Sequence, residues 1–357
     1  MYPRITIDLN KLKHNLDCLN ALCHDQGIDT AIVTKVFCAD RRIVRLINNS
    51  DTDMFADSRV QNLKDMFVSK PRLLLRIGMQ SEVDAIVSSA EISMQSEYET
   101  IIKLNEAARK QGKKHAVILM IDMGDLREGI FNEDRDKILR TARLLQGADN
   151  LEFYGIGVNL TCYGGILPDD NNLGGLVEIA GWLRKELHAE IPVVSGGNSS
   201  TMGMLMSYKV PKGVNHLRLG ESFVLGNDTA TGKPVPGLNT DCFVLEAEIV
   251  ELQTKPSKPI GKSGPNAFGE YLEYPDRGMM KRAILAIGRQ DVNVDGLTPL
   301  DPEVEILGAS SDHLIVNLTE CKKEYSVGDV IGFIPDYGAL LHLFTSKYVD
   351  RNYIDLN

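Results

Sequence analysis

Two apolar rhythms alternate along the chain. The stretch "IDLNKLKHNLDCLNALCHDQG" places Leu9, Leu12, Leu16, Leu19 and Leu22 on one helical face, and Gly27 ends the helix. Beyond it, short apolar runs of strand length fall at 29–36, 53–57, 72–78, 91–96, 115–122, 153–160, 191–197 and 215–222. Segments of helical period lie between them, such as "YETIIKLNEAARKQG", "DRDKILRTARLLQG" and "NLGGLVEIAGWLRKEL". Eight such runs separated by helices predict an α/β fold, a (β/α)₈ TIM-like barrel over residues 9–226. A doubly wound open sheet is the alternative. The count that stops at eight, and the lack of G-x-G-x-x-G after the first run, favour the barrel.

The texture changes at "LGNDTATGKPVPGLNTD". From there, strand-like runs such as "FVLEAEIVEL", "RAILAIG", "HLIVNL" and "DVIGFI" alternate with turn residues, with helical period returning only in "YGALLHLFTS". A mostly-β carboxy-terminal domain over 227–357 is predicted, with residues 1–8 adding a strand through the alternation of "YPRITIDL". A chain of 357 residues exceeds what one core usually serves, which agrees with two units.

Charge and composition narrow the function classes. The net charge is -10, and no cluster of Lys and Arg marks a phosphate-backbone track, so nucleic acid is excluded as a partner. No apolar run approaches the roughly 20 residues of a membrane span, and mean hydropathy is -0.13. The opening "MYPRITIDLN" has no basic region followed by an apolar one, so the expected location is the cytoplasm. Cys18, Cys23, Cys38, Cys162, Cys242 and Cys321 are scattered without metal spacing and are expected to be reduced thiols, with no metal bound.

Chemistry in a barrel sits where the strands end. Lys35 closes the first apolar run, "AIVTKV"; a surface lysine is the ordinary alternative, but continuous apolar neighbours push an ammonium toward desolvation. An amine with a lowered pKa is suited to condense with an aldehyde. After the seventh run, "VSGGNSSTM" combines glycines with hydroxyls, and after the eighth, "RLGES" brings Gly220. Either is an ordinary turn by itself, but barrels frequently hold phosphate between these two loops. A reactive lysine facing a phosphate cradle points to pyridoxal 5'-phosphate.

These segments carry a resemblance. With "VTKVFCAD", "LLLRIGMQSE", "GIGVNLTCYGG", "SGGNSS", "RLGESFVLG", "LAIGRQDV", "LGASSDHLIV" and "TSKYV", the chain resembles the alanine racemase family of fold-type III pyridoxal-phosphate enzymes, most closely its branch acting on ornithine. The resemblance implies a barrel, a β-rich domain, and a homodimer with shared active sites. It makes Lys35 the cofactor lysine and a base on one substrate face, and Ser199, Gly220 and Glu221 phosphate ligands. Arg218 would meet the pyridine nitrogen; a guanidinium only donates, so the nitrogen stays unprotonated. Arg127 would sit near the substrate carboxylate, against the alternative of an ion pair with Asp125 or Glu128; Ser311 would offer a backbone amide.

Departures from the family pattern matter as much. Asn159 stands in place of a histidine near the ring, Met120 in place of a modified lysine, and Ala39 in place of a phosphate-binding tyrosine; Lys347 falls near a second such tyrosine. In "NAFGEY", Phe268 occupies the position of the catalytic tyrosine, and a phenyl ring accepts no proton. Tyr271 is therefore the candidate second base, with Tyr163 and His313 behind it. Asp312 is a candidate for a terminal ammonium. His14, His24, His115, His188, His216 and His342 are given structural roles, and Trp182 a place in the core.

The function implied is racemisation of a free amino acid, a basic one such as ornithine, by a two-base mechanism. Alternatives are an alanine or broad-specificity racemase, a decarboxylase or lyase on the same fold, and a carrier of the cofactor without turnover. The β-rich domain argues against the carrier.

Overall fold

The computed structural model describes residues 1–266, 268–271 and 273–355. The chain forms two compact units, Lys11–Thr240 and Met1–Asn10 with Asp241–Asn357.

The first unit is a closed parallel barrel. Its strands, in chain order, are Asp29–Val33, Met54–Asp57, Arg72–Leu74, Ile92–Gln95, His115–Asp122, Leu151–Gly157, Val193–Ser195 and His216–Leu219. Each pairs with its successor, and the eighth returns to the first, with Arg218 opposite Ala31 and Leu219 opposite Ile32. Side chains alternate across a strand. Ala31 and Val33, Met54 and Ala56, Ile92 and Met94, and Ile118 and Met120 accordingly form one buried cluster inside the barrel. The intervening Ile32, Phe55, Leu119 and Ile121 are equally buried, as parallel strands covered on both faces require. This is why the runs read as continuously apolar. Trp182 is half-buried, not core, with the Arg135 guanidinium 5.2 Å over its ring.

Seven of the eight strands are shorter than the apolar runs that announce them, and the fifth, His115–Asp122, matches its run. The first ends at Val33, so Lys35 lies beyond it in a 3₁₀ turn, Lys35–Phe37; the sixth ends at Gly157, short of Asn159. The unit boundary also differs from the expected one. Residues 227–240 stay with the barrel, because Asn15 on the first helix, Leu9–His24, bonds Asn239 in both directions: its Nδ2 donates to the Asn239 carbonyl at 2.9 Å, and its Oδ1 accepts the Asn239 N–H at 2.7 Å. Gly226 makes this possible, with φ +64 and a position where a Cβ would stand 2.5 Å from the same carbonyl.

The second unit is an antiparallel sheet in the order 297–299, 330–335, 243–256, 279–285, 314–317, 305–309. Arg4–Asp8 joins it antiparallel to 243–246 and parallel to Asp350–Ile354. Phe243 and Phe344, the latter on the helix Tyr337–Thr345, meet edge to face at 5.8 Å in its core. No helix among the described residues is long and apolar enough to cross a membrane.

Candidate active site

Loops at the carboxyl ends of the barrel strands bring Lys35, Arg127 and Glu128 close enough to act on one another. Lys35 enters from the turn after the first strand. Burial pushes its amine below the ordinary lysine value; Cys162, Arg127, Asp57 and Glu128 act on it through space, Arg127 in the same direction and the other three against it.

Arg127 comes from the loop after the fifth strand. There Asp122 Oδ1 accepts the N–H groups of Gly124 and Leu126, at 2.9 and 3.1 Å, which curls the loop back over the strand. Gly129 follows where a Cβ would stand 2.5 Å from the Asp122 nitrogen, so only glycine fits. Arg127 is paired with Glu128, the alternative weighed for it, and that hydrogen bond raises its pKa. The pair nevertheless faces Lys35 and Arg218, so the ion pair belongs to the barrel mouth. Asp125 is buried and ties this loop to the next: its carboxylate accepts the N–H groups of Thr161, Tyr163 and Ile166 at 3.1 to 3.2 Å.

Arg218, on the eighth strand, is wholly inside. It donates to Ser195 Oγ and, at 2.6 Å, to the Val158 carbonyl. Burial lowers its pKa to about 10, with Arg127 adding to the effect. Ser195 Oγ lies 2.7 Å from His216 Nδ1. The hydroxyl accepts from Arg218 and shares a second hydrogen bond with the imidazole, whose Nε2 is buried without a partner. His216 therefore does more than fill the core, because it closes the chain of bonds that orients Arg218.

Hydroxyl Ser199 Oγ accepts the N–H groups of Gly220 and Ser222, at 3.2 and 3.1 Å, and lies 3.0 Å from Ser222 Oγ. A Cβ at Gly220 would stand 3.2 Å from Val33 Cβ, so glycine keeps the amides close. Glu221 turns its carboxylate to the Thr229 hydroxyl, leaving only its backbone for an anion. Asn159 Oδ1 accepts from Asn198 Nδ2 at 3.2 Å, while its own buried Nδ2 has no partner. An amine lowered by burial, donors converging on one hydroxyl, an unspent amide and a guanidinium with N–H groups to spare fit pyridoxal phosphate. Among the described residues, no group of His, Cys, Asp and Glu could hold a metal ion.

Tyr271, Ser311, Asp312 and Lys347 lie in the second unit. Tyr271 is 80% exposed, and Lys347 is exposed. Ser311 Oγ donates to Asp312 Oδ1 at 3.1 Å, and His313 pairs with the same carboxylate at 3.2 Å. The Phe268 ring lies 4.6 Å beneath the Arg289 guanidinium. Tyr163, in the barrel, is 76% exposed on the Asp125-bound loop. Sequence reasoning passed over Ser195, Asp57, Glu128, Asp125 and Cys162 as site residues. The two-residue spacing of His216 and Arg218 was a usable signal, since it puts both on one strand face; nothing comparable marks Cys162.

Residues 7–228 match the family model described as alanine racemase, N-terminal domain. The chain is 48% identical to ornithine racemase of Acetoanaerobium sticklandii, over 98% of this chain and 99% of that one. It is 36% identical to lysine racemase of Thermotoga maritima, over 99% of each. The fold is shared with the crystal structure of alanine racemase from Bartonella henselae with covalently bound pyridoxal phosphate: TM-score 0.72, 18% identity, 98% of this chain and 99% of that one. By the extent of these matches, the chain belongs to the alanine racemase family.

Proposed function

We propose that the protein is a pyridoxal-phosphate-dependent racemase of a basic amino acid, ornithine foremost. The observation that carries the chemistry is the gathering of Lys35, the Arg127–Glu128 pair, Arg218 and the Ser199 donor set at one end of the barrel. The choice of ornithine rests on the 48% identity with ornithine racemase.

When bound, the cofactor supplies an aldehyde that condenses with amines and a ring that draws electron density from the substrate Cα–H bond. Ser199 with the amides of Gly220 and Glu221 would hold its phosphate, Lys35 its aldehyde carbon, Arg218 its ring nitrogen, and Asn159 the ring edge. Lys347 would add a charge near the phosphate. Lys35 would take and return the Cα proton on one face; burial shifts its amine toward the neutral form, the one that accepts a proton. Arg127 binds the substrate carboxylate, with Glu128 fixing the angle of the guanidinium. Arg218, whose pKa of about 10 keeps it charged at neutrality, would donate to the ring nitrogen and so leave it without a proton. That limits charge delocalisation and favours prompt return of the proton over side reactions.

A second acid-base group must serve the opposite face, because one group returning its own proton tends to retain configuration. Tyr271 is assigned that role, Ser311 and Asp312 the substrate carboxylate and terminal ammonium. Assembly as a homodimer, each barrel completed by the partner's second unit, accompanies this assignment, as does a cytoplasmic location in which the cysteines stay free. Incubation with single L-amino acids in D₂O, with pyridoxal phosphate present, tests the proposal. Loss of optical activity with deuterium at Cα is expected for ornithine; neither change across basic and small substrates would refute it.

A further inference from the structure

Asp57 is the last residue of the second barrel strand and is fully buried. A buried carboxylate is costly unless every lone pair is engaged. Here Oδ1 accepts the Arg59 N–H at 2.8 Å and Asn62 Nδ2 at 3.1 Å. Oδ2 accepts the Thr34 hydroxyl at 2.6 Å and Asn62 Nδ2 at 3.1 Å. The Thr34 hydroxyl has a weaker second acceptor, the Ala56 carbonyl at 3.3 Å. Each partner of Asp57 is a donor, and these bonds, with Lys35, favour the ionised form against the burial that raises its pKa. A strand end needs no such charge.

Thr34 supplies the reason. It is buried, its N–H donates to the Ala56 carbonyl at 2.8 Å, and its carbonyl accepts from Ala39 at 3.2 Å. It therefore anchors both ends of the turn from which Lys35 projects. Cys38 and Ala39, which close that turn, have φ of +47 and +50, a conformation that side chains resist and that surrounding bonds must hold.

We propose that Asp57 is a positioning residue for Lys35: through the Thr34 hydroxyl it fixes the turn that carries the amine, and its negative charge acts on that amine through space. Cys162, Arg127 and Glu128 also act on Lys35; Asp57 joins Cys162 and Glu128 in opposing burial and Arg127. The inference rests on Lys35 being the reactive amine.

Competitive trace acetylation of the full chain before cofactor is added, across a pH series and read at the Lys35 peptide, gives the apparent pKa of that amine directly. Asp57→Asn is expected to lower it, since a negative neighbour has gone. A folded variant whose Lys35 titrates as in the parent would overturn the proposal, as would one that only melts earlier. Thr34→Val keeps the charge and removes the bond; borohydride-fixed cofactor at Lys35 should then accumulate about tenfold more slowly, with Thr34→Ser restoring the parent rate. If Asp57→Asn does not fold, this pair decides, and a Thr34→Val rate equal to the parent's refutes the clamp. Racemisation by the parent is measured separately: its absence alongside a lowered Lys35 pKa in Asp57→Asn would overturn the proposed function while leaving the positioning role standing.

Discussion

Ser195 and His216 are hydrogen-bonded at 2.7 Å across neighbouring barrel strands, and the same serine hydroxyl receives the Arg218 guanidinium. One oxygen thus holds both a buried cation and a buried imidazole. Ser195→Ala leaves both groups short of a partner, and is expected to destabilise the protein by about 1–3 kcal/mol. Urea midpoints measure this. A midpoint equal to the parent's would mean that the guanidinium is held without the hydroxyl.

Acid should weaken the fold well before its carboxylates protonate. His216 is pushed to about 3 by burial and by Arg218, and His115 to about 4 chiefly by burial. Unfolded, both take a proton near pH 6.5, so below that the unfolded chain binds more protons and stability falls as pH drops. The expected slope is up to about 1.4 kcal/mol per pH unit for each histidine, between about pH 6.5 and 4. Urea unfolding of the parent and of His115→Gln over that range checks the sign: the variant's slope should be shallower.

Lys35→Ala is expected to abolish turnover. In the parent, borohydride reduction of the cofactor-loaded protein should fix the cofactor on the peptide containing Lys35. Recovery of the added mass on another lysine would remove Lys35 from the centre of the site.

Removing the hydroxyl on which the Gly220 and Ser222 amides converge should loosen the phosphate. Ser199→Ala is expected to weaken pyridoxal phosphate by about ten- to a hundredfold, the worth of one charge-assisted hydrogen bond. Pyridoxal, which lacks the phosphate, should bind parent and variant alike. Equal losses for both ligands would point to a collapsed loop.

Tyr271→Phe tests the second face. The variant should bind cofactor and lose racemisation one-sidedly, with α-proton exchange surviving for the enantiomer whose hydrogen faces Lys35. Racemisation of both enantiomers at the parent rate would move the assignment to Tyr163 or His313.

The barrel is legible in the sequence because its strands are covered on both faces, so each must be apolar throughout, and the helices between them must keep a 3.6-residue stripe. That count, together with the lack of G-x-G-x-x-G after the first run, favours a closed barrel over an open sheet. Lys35 stands out for a related reason: an ammonium at the end of an apolar run has no surface to reach. Ser199 and Gly220 are visible as a pair because glycines and hydroxyls follow the last two strands, where an anion is commonly held.

What the sequence by itself determined is therefore what local rhythm encodes: the two units, the barrel, and the residues that interrupt an apolar run. Tertiary structure alone decided which of these residues meet. Ser195 reaches His216 and Arg218 only because the seventh and eighth strands lie side by side; Asp57 finds Thr34 across the first pair; Asp125 knots two loops; and Asn239 bonds Asn15 from the other end of the unit's chain. Each is a contact between positions whose separation along the chain carries no period. A hydrogen bond is a matter of a few ångströms and an angle, and only closure of the barrel brings such atoms within that reach.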